Sequence, residues 1–311
     1  MTNSTGGAGT AVGWSAAGGS VAAPESYFAQ FLDTLDLTPI GEDAFAGRHP
    51  AQVGPRTFGG QIMSQAIVAA GRTTELPLHV KHTHFIRGGQ VDADLEYHVT
   101  RLRDTRNTAN RQVSVQQGGE VVALVLLGYQ TDARNPLEHG DPMPQVSEPE
   151  TLPSIYDLFG GYEDTIRQFV DAPHPMDMRY TNDPAWVMKS KGGSLDFNRV
   201  WIKTDGDLPD DQVLHDAALA YASDTTILDS IITRHGLSWG FDRIMAATLN
   251  QSIWFHRRVR FDEFNLYATH SPVAAGGRGT AHGQFFSRGG ELIASVTQEG
   301  VLKYFPAKAR S

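Results

Sequence analysis

The sequence predicts an α+β protein written twice, each copy an antiparallel sheet wrapped around a buried helix. Two observations carry this. First, THFIRGGQVDADLEYHVTRLRD around position 85 returns about 170 residues later as IWFHRRVRFDEFNLYATHSP. Phe85 aligns with Phe255, Arg87 with Arg257 and Tyr97 with Tyr267, each at an offset of 170, and Gly118-Gly119-Glu120 returns as Gly289-Gly290-Glu291 at 171. Second, in both halves a Gly-ended apolar helix precedes three β-branched, partly alternating runs. The period lies far beyond the roughly 20–50 residues of a solenoid repeat, so it describes a fused domain pair. In such a pair one half can keep the chemistry while the other becomes scaffold. Differences between the halves then point to the site.

Taken in order, the first residues are rich in Gly, Ala and Ser and read as a disordered tail over 1–25. SYFAQFLDTLDL has helical spacing. RTFGGQIMSQAIVAAGRT opens at Gly59-Gly60, carries Ile62, Ala66, Ile67 and Ala70 on one side and closes at Gly71. HVKHTHFI, LEYHVTRLRD with NRQVSVQQ, and EVVALVLLGYQ are strands, completing a first unit over 26–132. From 133 to 175 Pro, Asp, Glu and His are frequent, which reads as a linker with one short helix near Ile155–Val170. The second unit, 176–306, has the strand SLDFNRVWIKTD and the helix VLHDAALAYAS. Asp224 then opens DTTILDSIITRHG, expected to be the counterpart of the first half's buried helix with Asp224 as its N-cap. Three strand regions close the unit.

A chain of 311 residues with 40% hydrophobic and 20% charged residues is an ordinary globular chain of about two domains. Its net charge of −9 argues against a nucleic-acid partner. The absence of cysteine excludes disulfides, thiolate zinc sites and a Cys nucleophile. No apolar run approaches the roughly 18 residues of a membrane span, and the N-terminus lacks a signal-peptide pattern. A cytoplasmic location is expected.

YASDTTILD, SIWFHRRVR, SPVAAGGRGTAHGQFF and ASVTQEGVL, with FGGQIMSQAIVAAGRT and the RLRD strand in the first half, together resemble the type II acyl-CoA thioesterases. The resemblance runs from about residue 26 to 304 and breaks only in the linker. It implies a double hotdog fold and hydrolysis of fatty acyl-CoA to fatty acid and CoA, without metal or organic cofactor. It also implies a homo-oligomer. The family's catalytic Asp, Thr and Gln fall on Asp224, Thr248 and Gln298. The chain departs from the family in having Asn250-Gln251 where Asp-His is common, and RGGQ where RPGD is usual.

The repeat supports a single site. Aligning the halves puts Asp224 opposite Gly59, Thr248 opposite Leu78 and Gln298 opposite Leu127. Three polar residues of the second half thus face non-polar ones in the first. The chemistry suits them: a carboxylate can take a proton from water, while a hydroxyl and an amide fix its orientation. Bare backbone N–H groups at Gly59 and Gly60 are candidates to meet the acyl carbonyl. Arg278, in a Gly-rich turn, and Arg257 are candidates for CoA phosphates. His82 and His84 share a strand face without a further ligand set, so no metal is expected. No GxSxG nucleophile elbow is present. A catalytically weak acyl-CoA binding or sensing protein is the second reading, and release of CoA thiol separates the two.

Overall fold

The computed structural model describes residues 27–49, 56–132 and 136–306; the expected tail lies outside them. The first half comprises α1 (Tyr27–Leu35), β1 (Thr38–Gly41), β2 (Ala44–Gly47), α2 (Gly59–Gly71), β3 (Leu78–Phe85), β4 (Leu95–Asp104), β5 (Thr108–Gln117) and β6 (Glu120–Gln130). A connecting segment carries α3 (Ile155–Phe159) and α4 (Arg167–Val170). The second half comprises β7 (Met176–Tyr180), α5 (Ala185–Ser190), β8 (Phe197–Thr204), α6 (Gln212–Ser223), α7 (Asp229–Arg234), β9 (Ile244–Phe255), β10 (Asn265–Ala275), β11 (Arg278–Phe286) and β12 (Leu292–Tyr304).

The twelve strands form one sheet in the order β1-β2-β4-β5-β6-β3-β9-β12-β11-β10-β8-β7. This order reads identically from either end once each strand is exchanged for its repeat. The halves join where β3 pairs antiparallel with β9. There His82 sits opposite Ser252, its own repeat counterpart, with Nδ1 and Oγ 2.8 Å apart, so the two-fold axis passes through this pair. The architecture is the double hotdog.

Two helices fill the concave side. Gly60 through Ala70 of α2 are all buried, as suits a helix that is apolar almost all round. It runs antiparallel to α6: Ser64 Oγ, 2.7 Å from the Gly60 carbonyl of its own helix, also lies 2.9 Å from the Ala217 carbonyl, while a Cβ on Gly60 would lie 2.7 Å from the Tyr221 carbonyl. The repeated tyrosines anchor these helices. Tyr97 donates to Gln65 Oε1 of α2 at 2.6 Å, and Tyr267 to the Ser223 carbonyl of α6 at 3.0 Å.

One expectation is corrected here. The counterpart of α2 is α6, the VLHDAALAYAS helix, and not the segment opened by Asp224. Asp224 is the C-cap of α6, and only Asp229–Arg234 of the following segment is helical. Short polar side chains explain the stop. Ser223 Oγ and Thr225 Oγ1 each donate at 2.7 Å to carbonyls of the last α6 turn, so these residues end a helix where an N-cap was expected. Asp224 therefore corresponds to Arg72, the C-cap of α2, rather than to Gly59. Where one short helix was expected near Ile155–Val170, there are two, α3 and α4. Gly161, at φ +83°, lies in the turn between them. Trp186 of α5 fastens α3 by donating to the Leu158 carbonyl at 2.8 Å.

Candidate active site

A β-bulge sets the site. Gln251 pairs with Gln298 and Asn250 with Glu299, but Thr248 pairs with Gly300, so Leu249 is an extra residue in β9. Alternation would turn Thr248 away from Gln251. The bulge brings both to the helix side of the sheet. The same bulge occurs in β3, where Leu78 pairs with Tyr129 and Val80 with Gly128. Leu78 thus holds the position of Thr248, Lys81 that of Gln251 and Leu127 that of Gln298.

Asp224, Thr248 and Gln298 converge. Asp224 Oδ1 accepts from Thr248 Oγ1 at 2.9 Å and from Gln298 Nε2 at 2.8 Å, and Gln298 Nε2 also lies 2.9 Å from Thr248 Oγ1. The Gly60 backbone N–H donates to the same carboxylate. Asp224 thus ends α6 while meeting the N-terminus of α2. That N-terminus has no side-chain cap of its own, since Phe58 holds the N-cap position. The Gly59 N–H has no acceptor among the described residues. Desolvation by the surrounding protein pushes the Asp224 carboxyl above its ordinary range. The bonds from Gln298 and Thr248, the Lys81 charge and the Gly60 N–H oppose that shift.

Sequence reasoning missed what lies behind Gln298. Gln251 Nε2 donates to Gln298 Oε1 at 2.6 Å, and Gln251 Oε1 accepts from Lys81 Nζ at 2.9 Å. Lys81 and Gln251 are counterparts at offset 170, and both are buried. The 170-residue repeat that aligned the halves was the available signal.

The carboxylate opens on a cleft of about 500 Å³ whose wall includes Gly59, Phe85, Arg87, Thr248 and Trp239. Arg56, Phe58 and Trp239 also border an adjoining apolar pocket of about 320 Å³. Phe159 and Phe169 of the connecting segment and Met176, Met178 and Trp186 of the second half line it. Asp229 lies in its wall and donates nothing to an apolar guest. Burial pushes its carboxyl up to about 7 against the bond it accepts from Trp239 Nε1 at 2.6 Å.

The two expected phosphate ligands lie elsewhere. Arg278 donates to Glu299 at 3.2 Å, and Arg257 stands 3.9 Å from Glu291. Neither lines the cleft or the apolar pocket. Arg257 repeats Arg87, which pairs with Glu120, so this part of the repeat is a conserved ion pair between the halves. Arg56 and Arg87 border the cleft instead. The repeat-related cleft, about 670 Å³, carries Leu78 in its wall. Its helix end is closed by Asp211, whose Oδ1 accepts from the Val213 N–H at 2.9 Å.

A double hotdog with a carboxylate and a hydroxyl on one cleft, an amide buried behind them and an apolar pocket alongside suits a thioester hydrolase. Residues 169–301 match the family model described as acyl-CoA thioesterase, and 48–130 match the model of the acyl-CoA thioesterase N-terminal domain. Acyl-coenzyme A thioesterase 8 of Mus musculus is 30% identical over 292 residues, covering 89% of this chain and 90% of that protein. Acyl-CoA thioesterase 2 of Haemophilus influenzae is 29% identical over 283 residues, covering 88% and 96%. The structure of an acyl-CoA thioesterase II from Mycobacterium marinum is similar at a TM-score of 0.70 and 34% identity, covering 90% and 99%. This chain belongs to the type II acyl-CoA thioesterase family and is an acyl-CoA thioester hydrolase.

Proposed function

We propose that the chain hydrolyses fatty acyl-CoA through a water held by Asp224, Thr248 and Gln298. The observation that carries this reading is the convergence of Thr248 and Gln298 on one oxygen of Asp224 at the uncapped end of α2. The acyl chain lies in the apolar pocket, and the thioester carbonyl faces the Gly59 N–H. The CoA moiety leaves past Arg56 and Arg87, which take over the phosphate role expected of Arg257 and Arg278. Asp224 accepts a proton as the water oxygen bonds to the carbonyl carbon. The Gly59 N–H stabilises the oxyanion, a contribution worth about 2.7–4 kcal/mol for a well-placed donor. The tetrahedral intermediate collapses, the C–S bond breaks and CoA leaves as a thiolate, which takes up the proton that Asp224 received and so restores the carboxylate. A thiolate is a good leaving group, so no strong general acid is needed. A cytoplasmic, homo-oligomeric enzyme fits this role.

The test is CoA release followed with a thiol reagent. Asp224→Ala is expected to lower kcat by about 10²-fold or more while the protein stays folded. Near-normal turnover in that variant would remove Asp224 from the mechanism.

A further inference from the structure

Lys81 is fully buried, yet no carboxylate lies within ion-pair distance of it among the described residues. Its ammonium meets only Met63 Sδ, at 2.6 Å, and Gln251 Oε1, at 2.9 Å. A buried charge so poorly matched is costly, and structures keep such groups where they serve something else. Here the next groups in line are catalytic.

The hydrogen bonds run in one direction. Lys81 Nζ donates to Gln251 Oε1, Gln251 Nε2 donates to Gln298 Oε1, and Gln298 Nε2 donates to Asp224 Oδ1 and Thr248 Oγ1. An ammonium can only donate, whereas an amide can face either way. Lys81 therefore obliges Gln251 to present its oxygen. Gln251 must then present N–H to Gln298, and Gln298 must present N–H to the carboxylate. Ser223 Oγ also lies 3.2 Å from Gln251 Oε1, but it stands closer to the Ala220 carbonyl, at 2.7 Å, and a hydroxyl that can donate or accept does not by itself fix which way the amide faces. Without the ammonium only the ionised carboxylate, which accepts and cannot donate, keeps this order; once Asp224 is protonated, Gln298 is free to turn its carbonyl toward it. The relay exists on one side of the axis only, since the first half has Leu127 in place of Gln298.

We propose that Lys81, supplied by the non-catalytic half, is a positioning residue: through Gln251 it fixes the amide of Gln298, and its charge favours the ionised form of Asp224. This rests on reading Asp224, Thr248 and Gln298 as the set that holds the water. The titratable groups around the relay are Asp224, the neighbouring His82, and the phenols Tyr221 and Tyr267, which burial keeps protonated. Met63 of α2, Leu127 of β6 and Ile253 of β9 add none. Burial lowers Lys81 to about 7, so it is charged in the acidic range where Asp224 would otherwise take up a proton.

The test is Lys81→Met, which keeps the length and removes the charge. On acyl-CoA hydrolysis we expect kcat to fall by about tenfold or more with KM within about twofold. The acidic limb of the kcat profile should move to higher pH, because loss of a nearby cation raises a carboxyl pKa. Gln251→Leu should lose as much, and adding Lys81→Met to it should cost little more. A thermal unfolding series gives a readout independent of turnover. Lys81 binds its proton less tightly in the folded state (about 7) than in the unfolded state (about 10.4), so stability rises between those pH values. Lys81→Met should flatten that rise. Unchanged kcat and an unmoved acidic limb in Lys81→Met, beside an inactive Asp224→Asn, would overturn the relay alone. Wild-type hydrolysis by Asp224→Asn would instead overturn the underlying mechanism.

Discussion

Thr248 and Gln298 both bond to Asp224 Oδ1, and Oδ2 faces the Cα of Gly59. One oxygen is held, and the other is the one the proposed mechanism gives to the water. Thr248→Val and Gln298→Ala should each lower kcat by about tenfold or more, and each should do little further harm once Asp224 is Ala, because all three act on one water. Single-turnover rates of the double variants check this; losses that multiply would mean independent roles. The raised Asp224 pKa gives a second expectation. Its base form is lost as pH falls through a value above the ordinary carboxylate range, so the acidic limb of the kcat profile should lie there as well. For stability the sign is the reverse. A raised folded pKa means that stability falls as pH rises from the unfolded to the folded value. Asp224→Asn should therefore unfold at a higher temperature than wild type at neutral pH while losing turnover, which a melting curve measures directly.

At the level of elements, the N-termini of α2 and α6 are built differently. Asp211 caps α6 from within its own chain segment, whereas α2 is met by a carboxylate from across the molecule. Gly59 makes this approach possible, since a Cβ there would lie 2.6 Å from Asp224 Oδ2. Gly59→Ala should favour the helix by about 0.5–1 kcal/mol intrinsically, yet lose most activity by displacing the carboxylate. Gly60→Ala should instead destabilise, because its Cβ would meet the Tyr221 backbone at 2.7 Å. Urea unfolding and thiol release on the two variants separate the outcomes. Much of this was legible in the sequence. The glycine pair and the apolar face of α2 announced a buried helix, and the repeat located Thr248 and Gln298 against Leu78 and Leu127. Asp224 was misread because an Asp-Thr-Thr run looks alike at either end of a helix. Only packing showed that its partner N-terminus belongs to α2. The Lys81 relay was hidden for a related reason. A lysine in an alternating strand reads as solvated until the helix packed over that face is known.

Over the whole molecule, the outward face of the central strands exposes Leu124, Leu126 and Trp254 beside the axis. We propose that the homo-oligomer implied by the family resemblance would form through this face. Leu126→Lys should shift the protein to smaller species by light scattering, with hydrolysis per chain retained. The repeat made the duplication readable, whereas the strands that join the halves, β3 and β9, were not legible in it and emerged only in the structure. The connecting segment did not reveal its role in the apolar pocket, because short helices held by distant partners leave little periodicity. The β3–β9 seam and the site it supports have a consequence for how the chain can be cut. The segment between β6 and α3 carries none of the residues proposed to act in the site, but each piece it links holds some of them: Gly59 and Lys81 on one, Asp224, Thr248 and Gln298 on the other. Opening the backbone between residues 136 and 148 should therefore yield two polypeptides that are inert when purified apart. Mixed during refolding, they should regain thioesterase activity through the seam and the packing of α2 on α6, making the enzyme a split reporter whose signal requires both pieces to find each other.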